Sequence, residues 1–259
     1  MTAVAATDVS RRVVAATSDR FYVQMAWLYL AVAIIGFAPT YWLPLLRGTL
    51  AVPAIVHLHA VVFYGWLTLL VVQTRFAATR QLTRHRAFGV LGVSLATAMF
   101  FVGVAAAVAS MRVAATAGFA AEGRAFSVVP LTGIALFAAM FATAIVNVRR
   151  ADVHKRLLLI ATVGMLNAAV GRLFVLVLAP AGLDPAAPPP PVMVTVLPGL
   201  VTNLLLVPGM LHDRRVRGRV HPVYWVGGAV LVASQLLRVP IAATDTWQSI
   251  ANGVLILMP

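Results

Sequence analysis

Apolar residues fall along this chain in long uninterrupted runs, with polar residues gathered between them. They neither alternate at a period of two nor recur on one helical face. A run of about 20 residues matches the hydrocarbon thickness of a bilayer. Seven such runs are present, at about 21–38, 53–74, 88–110, 127–148, 157–179, 192–211 and 222–243. Lipid offers backbone groups no hydrogen bonds, so a spanning segment is a helix or part of a closed barrel. These runs are too long and too uniformly apolar for barrel strands. The pattern predicts an all-α polytopic membrane protein with seven transmembrane helices in one domain, 21–243. A polar segment, 1–20, precedes it and a short tail, 244–259, follows. No cleavable signal pattern precedes the first run, which is therefore expected to remain as an anchor.

Breaks in the pattern carry further information. The sixth run holds two Pro-Gly pairs, Pro198-Gly199 and Pro208-Gly209, with Asn203 between them. Proline removes a helix hydrogen bond, so this span is expected to kink or break. The stretch 180–191, rich in proline, reads as a stiffened loop. The polar boundaries repeat. Runs two, four and six end in Gln73, Asn147 and His212, each followed two residues later by an arginine, and the next runs begin at His85, His154 and His221. Gly92, Ala161 and Gly228 follow seven residues after each of those histidines, nearly two turns on and so on the same face. In run three the face continues through Gly89, Ala96, Met99 and Gly103, a small-residue stripe that lets helices approach closely. This spacing reads as a repeated two-helix unit.

Charge orients the bundle. The 259-residue chain is 61% hydrophobic and only 10% charged, yet its formal net charge is +13. Fifteen of its twenty basic residues lie before run one or between runs two and three, four and five, and six and seven. The opposite loops hold only Arg47, Arg112 and Arg124. The positive-inside rule then puts the N-terminus in the cytoplasm and the C-terminus outside, which an odd number of spans satisfies. Charge placed this way argues against nucleic acid as a partner and for anionic lipid head groups at the cytoplasmic rim. Nineteen of the bases are arginine and one is lysine, Lys155; with the Ala/Val richness this suggests a bacterial inner-membrane protein. The absence of cysteine excludes disulfides, iron–sulfur clusters and thiolate metal sites.

Two groups of residues are candidates for chemistry. On the cytoplasmic side, His85, His154 and His221 head helices that run in the same direction, with His212 nearby. Convergent neutral imidazoles suit zinc, copper or iron, and imidazole also ligates haem iron. The competing reading is interfacial anchoring, with hydrogen bonds to loop carbonyls or lipid phosphate. On the outer side, His57 and His59 are grouped with Arg172, Gln235, Arg238 and Asn203 as a candidate pocket. Ionisable groups inside spans normally face the bundle or a wet cavity. Arg172 and Arg238 have no acid within the spans to pair with, so an anion fits: a carboxylate, a phosphate or a haem propionate. Glu122, Asp184 or Asp245 in outer loops is the alternative partner, and snorkelling to lipid phosphate is the plainest reading. On a helix, His57 and His59 point about 200° apart, so one centre cannot easily use both. His57 shares a stripe with Tyr64; His59 shares one with Phe63, Trp66 and Gln73.

The order His, Trp, Gln, His-Arg-x-x-Gly between His57 and Gly89 resembles a pattern in uncharacterised bacterial multi-spanning membrane proteins. That resemblance implies architecture and no defined activity. A looser similarity is to transmembrane b-type cytochromes, which implies haem b held by helix histidines. The chain departs from them in offering outer-side histidines from one helix only, which leaves a single haem or metal. Three functions stay open. The first is a haem- or metal-binding protein, a membrane-bound oxidoreductase or redox subunit if it is an enzyme. The second is a transporter or receptor-like binder of a small anion or lipid. The third is an accessory subunit of a larger membrane complex or a homo-oligomer. No lysine in run seven could form a rhodopsin-type Schiff base.

Overall fold

A computed structural model describes residues 2–178 and 187–257, with side chains described within 20–177 and 187–257. Among the described residues there is no β-strand, and seven helices are long and apolar enough to cross a membrane. α1 is Thr2–Phe37, prolonged by a π-helical stretch Ala38–Trp42 and a short turn Leu43–Leu46. α2 is Ala54–Ala78 and α3 is Leu82–Thr116. α4 comprises a short helix, Ala120–Phe126, that continues through Ser127 into Val128–Val146. α5 is Ala151–Leu178 and α7 is Pro222–Ala242. α6, between Val192 and Arg217, is broken as its prolines require. Helices Val196–Asn203 and Val207–Arg217 are joined by a 3-10 turn at Leu204–Leu206, placed between Asn203 and Pro208. It ends at Gly218, whose φ of 73° is the left-handed turn that glycine adopts without steric cost.

α5 is the hub. It packs on α1, α4, α6 and α7, and Leu159, Ile160, Ala161, Thr162 and Val163 are all buried in succession. Five consecutive buried residues take in every side of a helix, which only a central helix can show. α2 pairs with α1 and α3, and α3 with α4, completing the ring. The small-residue stripe of α3 lies where the sequence places it, with Gly92, Ala96, Met99 and Gly103 buried. Leu69 of α2 lies over Gly92, and Ile134 of α4 lies over Gly103. Across the middle, Trp66 of α2 donates its indole N–H to Thr162 of α5 at 3.1 Å and meets Phe137 and Phe141 of α4 edge-on. Large apolar side chains such as Ile35, Val61, Val90, Phe101 and Val226 point outward, as a lipid-facing surface requires.

The tail after α7 is a further helix, α8, Asp245–Leu257. It lies against the start of α4: the Trp247 indole donates to the Arg124 carbonyl at 2.9 Å, and Arg124 donates to the Gln248 amide oxygen at 2.8 Å. Part of the proline-rich loop, including Asp184, lies outside the described residues.

Candidate functional site

At the basic end, each histidine that heads a helix is engaged in local bonding. His85 Nδ1 donates to the Gln73 carbonyl at 3.2 Å, and the Gln73 amide returns a bond to the His85 carbonyl at 3.1 Å. His154 Nδ1 donates to the Ala144 carbonyl at 2.8 Å. A carbonyl only accepts, so both rings carry their proton on Nδ1 when neutral, and Nε2 is left with its lone pair. The polar positions that end the preceding helices differ in use. Gln73 crosses to α3, Asn147 folds back on the Thr143 carbonyl at 2.8 Å, and His212 stacks on Phe21 with ring centres 4.0 Å apart.

His221 belongs to an ion-pair network that the sequence did not suggest. Arg156 of α5 and Asp213 of α6, 2% and 1% exposed, form a bidentate pair. Asp213 Oδ2 also accepts the His221 backbone N–H at 3.1 Å. His221 Nδ1 accepts from the Val223 N–H at 3.2 Å and so caps α7. Its Nε2 must then carry the proton, donated to Asp152 Oδ2 at 3.2 Å. Arg217 lies 3.8 Å from the same oxygen. Burial, followed by the positive charges of Arg156 and Arg217, pushes the His221 imidazolium down from its ordinary range, against the opposing pull of Asp152. The signal available in the sequence was scarcity: Asp152 and Asp213 are two of only seven acids, and both stand among the bases of these loops. Among the described residues no group of three or more histidine or acidic side chains is placed to hold a metal ion.

At the far end, the polar residues fall into two groups with different neighbours. In the first, His57 Nδ1 lies 3.0 Å from the Tyr41 hydroxyl. Tyr64 donates to the Ala33 carbonyl at 3.0 Å and accepts from the Trp42 indole at 2.9 Å. This stripe of α2 faces α1 and its π stretch. His59 turns the other way, stacked on Phe63 at 3.9 Å, and its Nδ1 is buried without a partner. Arg172 of α5 sits over the Phe37 ring at 4.3 Å, donates to the Ala168 carbonyl at 3.0 Å, and lies within electrostatic reach of His59 and Tyr64.

The second group is more deeply enclosed. Gln235 and Arg238 lie three residues apart on one face of α7, 2% and 4% exposed. Gln235 and Asn203 exchange amide hydrogen bonds, at 3.1 Å and 3.4 Å, just where α6 breaks. Gly199, one turn earlier on α6, makes room: a Cβ there would come within 2.7 Å of the Gln235 side chain. Arg238 Nε donates to Thr132 of α4 at 3.2 Å, while Nη1 is buried with no partner. Val128 stands one turn beyond Thr132, and Ala242 one turn beyond Arg238. Those two pack with Val192 and Trp247 into an apolar cap over this end. Neither Arg172 nor Arg238 has an acidic partner among the described residues, Glu122 and Asp245 included.

No protein-family model, curated protein or solved structure matches this chain. Its functional reading therefore rests on these side chains.

Proposed function

We propose that this chain is a multi-pass membrane protein, basic end in the cytoplasm, that binds a small anion inside the bundle at Arg238, as a transporter or receptor does. One observation carries the reading: a guanidinium that is 4% exposed, with an unpartnered Nη1 and no acid beside it among the described residues. A buried charge left without a counter-charge costs several kcal/mol, about 3–5 when a partner is removed, so such a group persists where something else supplies the negative charge. A carboxylate or phosphate-sized anion fits, since Arg offers N–H groups in a planar fork. Thr132 and the Gln235–Asn203 amides supply neutral polar groups around it. The break in α6 at this depth agrees with a site of this kind, because interrupted helices in membranes pack on protein or line cavities.

The test is a thermal-shift panel on detergent-purified protein with acetate, succinate, sulfate and phosphate, comparing wild type with Arg238→Gln. At least one anion raises the wild-type melting temperature in a saturable way and leaves the variant unmoved. A panel in which no anion acts, or in which both proteins respond alike, contradicts the proposal.

A second reading, a haem or a divalent metal at the basic end, draws support from one detail. His85 and His154 are oriented by Nδ1–H bonds to carbonyls, the arrangement that histidine ligands use to present Nε2. An absorption spectrum with metal analysis tests it; no Soret band and no stoichiometric iron, copper or zinc would sink it.

A further inference from the structure

We infer that the His59–Arg172 group is a second, separate site, one that seats a phosphate group at the membrane-facing side of α1, α2 and α5. Three observations meet there. Arg172 carries a charge inside a span, has no acid partner among the described residues, and spends only one bond on a backbone carbonyl. Its position over Phe37 holds the guanidinium plane through a cation–π contact, and the bond to Ala168 is its one hydrogen bond among the described residues. His59 Nδ1, within electrostatic reach of Arg172, is buried and unpartnered, although its ring is fixed by stacking on Phe63. A fixed imidazole with an unused nitrogen is a ready donor once protonated there.

The π stretch follows Phe37 directly, so it begins beside Arg172. Tyr41 and Trp42 of this stretch hold α2 through His57 and Tyr64, and the neighbouring Thr40 hydroxyl is buried without a partner. π-helical turns recur at functional sites, where they re-aim side chains. Arg172 and the unused His59 nitrogen suit an anion with several acceptor oxygens, and a phosphate offers more of them than a carboxylate does.

The surroundings bear on where the phosphate comes from. On the same three helices Leu58, Val61, Ile34, Ile35, Leu176 and Val177 are exposed apolar residues, the kind of surface that acyl chains cover. A phospholipid head group reaches such a place from the side, whereas free phosphate must enter from water. Arg238, enclosed beneath its apolar cap, offers no such lateral opening, so the two sites are expected to respond to different ligands.

Three probes on protein in a maltoside detergent separate the cases: short-chain phosphatidylglycerol, diacylglycerol of the same chain length, and inorganic phosphate. Phosphatidylglycerol raises the wild-type melting temperature; diacylglycerol does not. In Arg172→Gln the half-saturating lipid concentration rises at least fivefold. His59→Gln shifts it less, His57→Gln leaves it alone, and Arg238→Gln keeps the wild-type response, so this site fails or survives independently of the first. Should Arg172→Gln fold poorly, Arg172→Lys serves in its place, with a smaller shift in the same direction. An equal effect of inorganic phosphate alone would show that the site takes free phosphate. Diacylglycerol acting as well as phosphatidylglycerol, or Arg172 variants with wild-type affinity, would overturn the inference.

Discussion

Asp213→Asn is the sharpest test of the basic end. The carboxylate receives three N–H donors: Arg156 Nε, Arg156 Nη2 and the His221 backbone. Asparagine keeps the shape but turns an NH2 group toward the guanidinium and removes the negative charge. Arg156, 2% exposed, is then a buried cation without a counter-charge. Counting three charge-assisted bonds at about 1.5–3 kcal/mol each would overstate the loss, because the ions also regain hydration on unfolding. Removing one member of a buried pair costs about 3–5 kcal/mol, and that is the expected destabilisation. Replacing both members with apolar residues, Arg156→Met with Asp213→Leu, leaves no stranded charge, and most of the loss is recovered. The assay is equilibrium unfolding in mixed micelles, following tryptophan fluorescence, on both single variants and the double. A single variant within about 0.5 kcal/mol of wild type, the range of an ordinary surface substitution, would refute the reasoning, as would a double variant whose loss equals the sum of the two.

Three further outcomes are expected. His221 is satisfied when neutral, with Nδ1 accepting from Val223 and Nε2 donating to Asp152, so protonation breaks the cap of α7. Its folded pKa lies below the unfolded value of about 6.5, so its stabilisation is complete above that pH and falls as pH drops through the window beneath it; His221→Asn flattens the wild-type pH–stability curve there. The chain has no cysteine, so single cysteines report sidedness directly: in intact cells a membrane-impermeant maleimide labels Ala117→Cys and spares Thr79→Cys, and the reverse pattern would invert the orientation. Gly199→Ala forces a Cβ to 2.7 Å from Gln235; it destabilises by about 1–3 kcal/mol and weakens anion binding at Arg238, read by unfolding and by the same thermal-shift panel.

Hydrophobic pattern alone made the seven spans legible, because in lipid a helix must be long and apolar whatever it packs against. Local chemistry made the break in α6 and the buried stripe of α3 legible, since Pro208 and the spacing of Gly92, Ala96 and Gly103 act within one helix. Helix arithmetic likewise turned His57 and His59 to different neighbours. What stayed hidden is which helices touch. Lipid and protein are equally apolar surroundings, so a spanning helix does not advertise its inward face as a soluble one does. Hence Thr132 as the partner of Arg238, Thr162 beneath Trp66, and the reach from Asp213 to Arg156 across 57 residues could not be read beforehand. For the same reason Arg172 and Arg238, which looked like one pocket by depth, keep different company, Phe37 and Thr132 respectively.

The central claim is that Arg238 is kept in the bundle for an anion and against stability. Unfolding free energies of wild type and Arg238→Met, each with and without the anion that acts most strongly in the panel, test it most directly. Without anion, the methionine variant should be the more stable by about 1–3 kcal/mol, since an unpaired buried charge is removed at the expense of one hydrogen bond to Thr132. With anion at 100 times its dissociation constant, wild type should gain about 2.7 kcal/mol and the variant nothing. A variant less stable than wild type without anion, and equally responsive with it, would contradict the account.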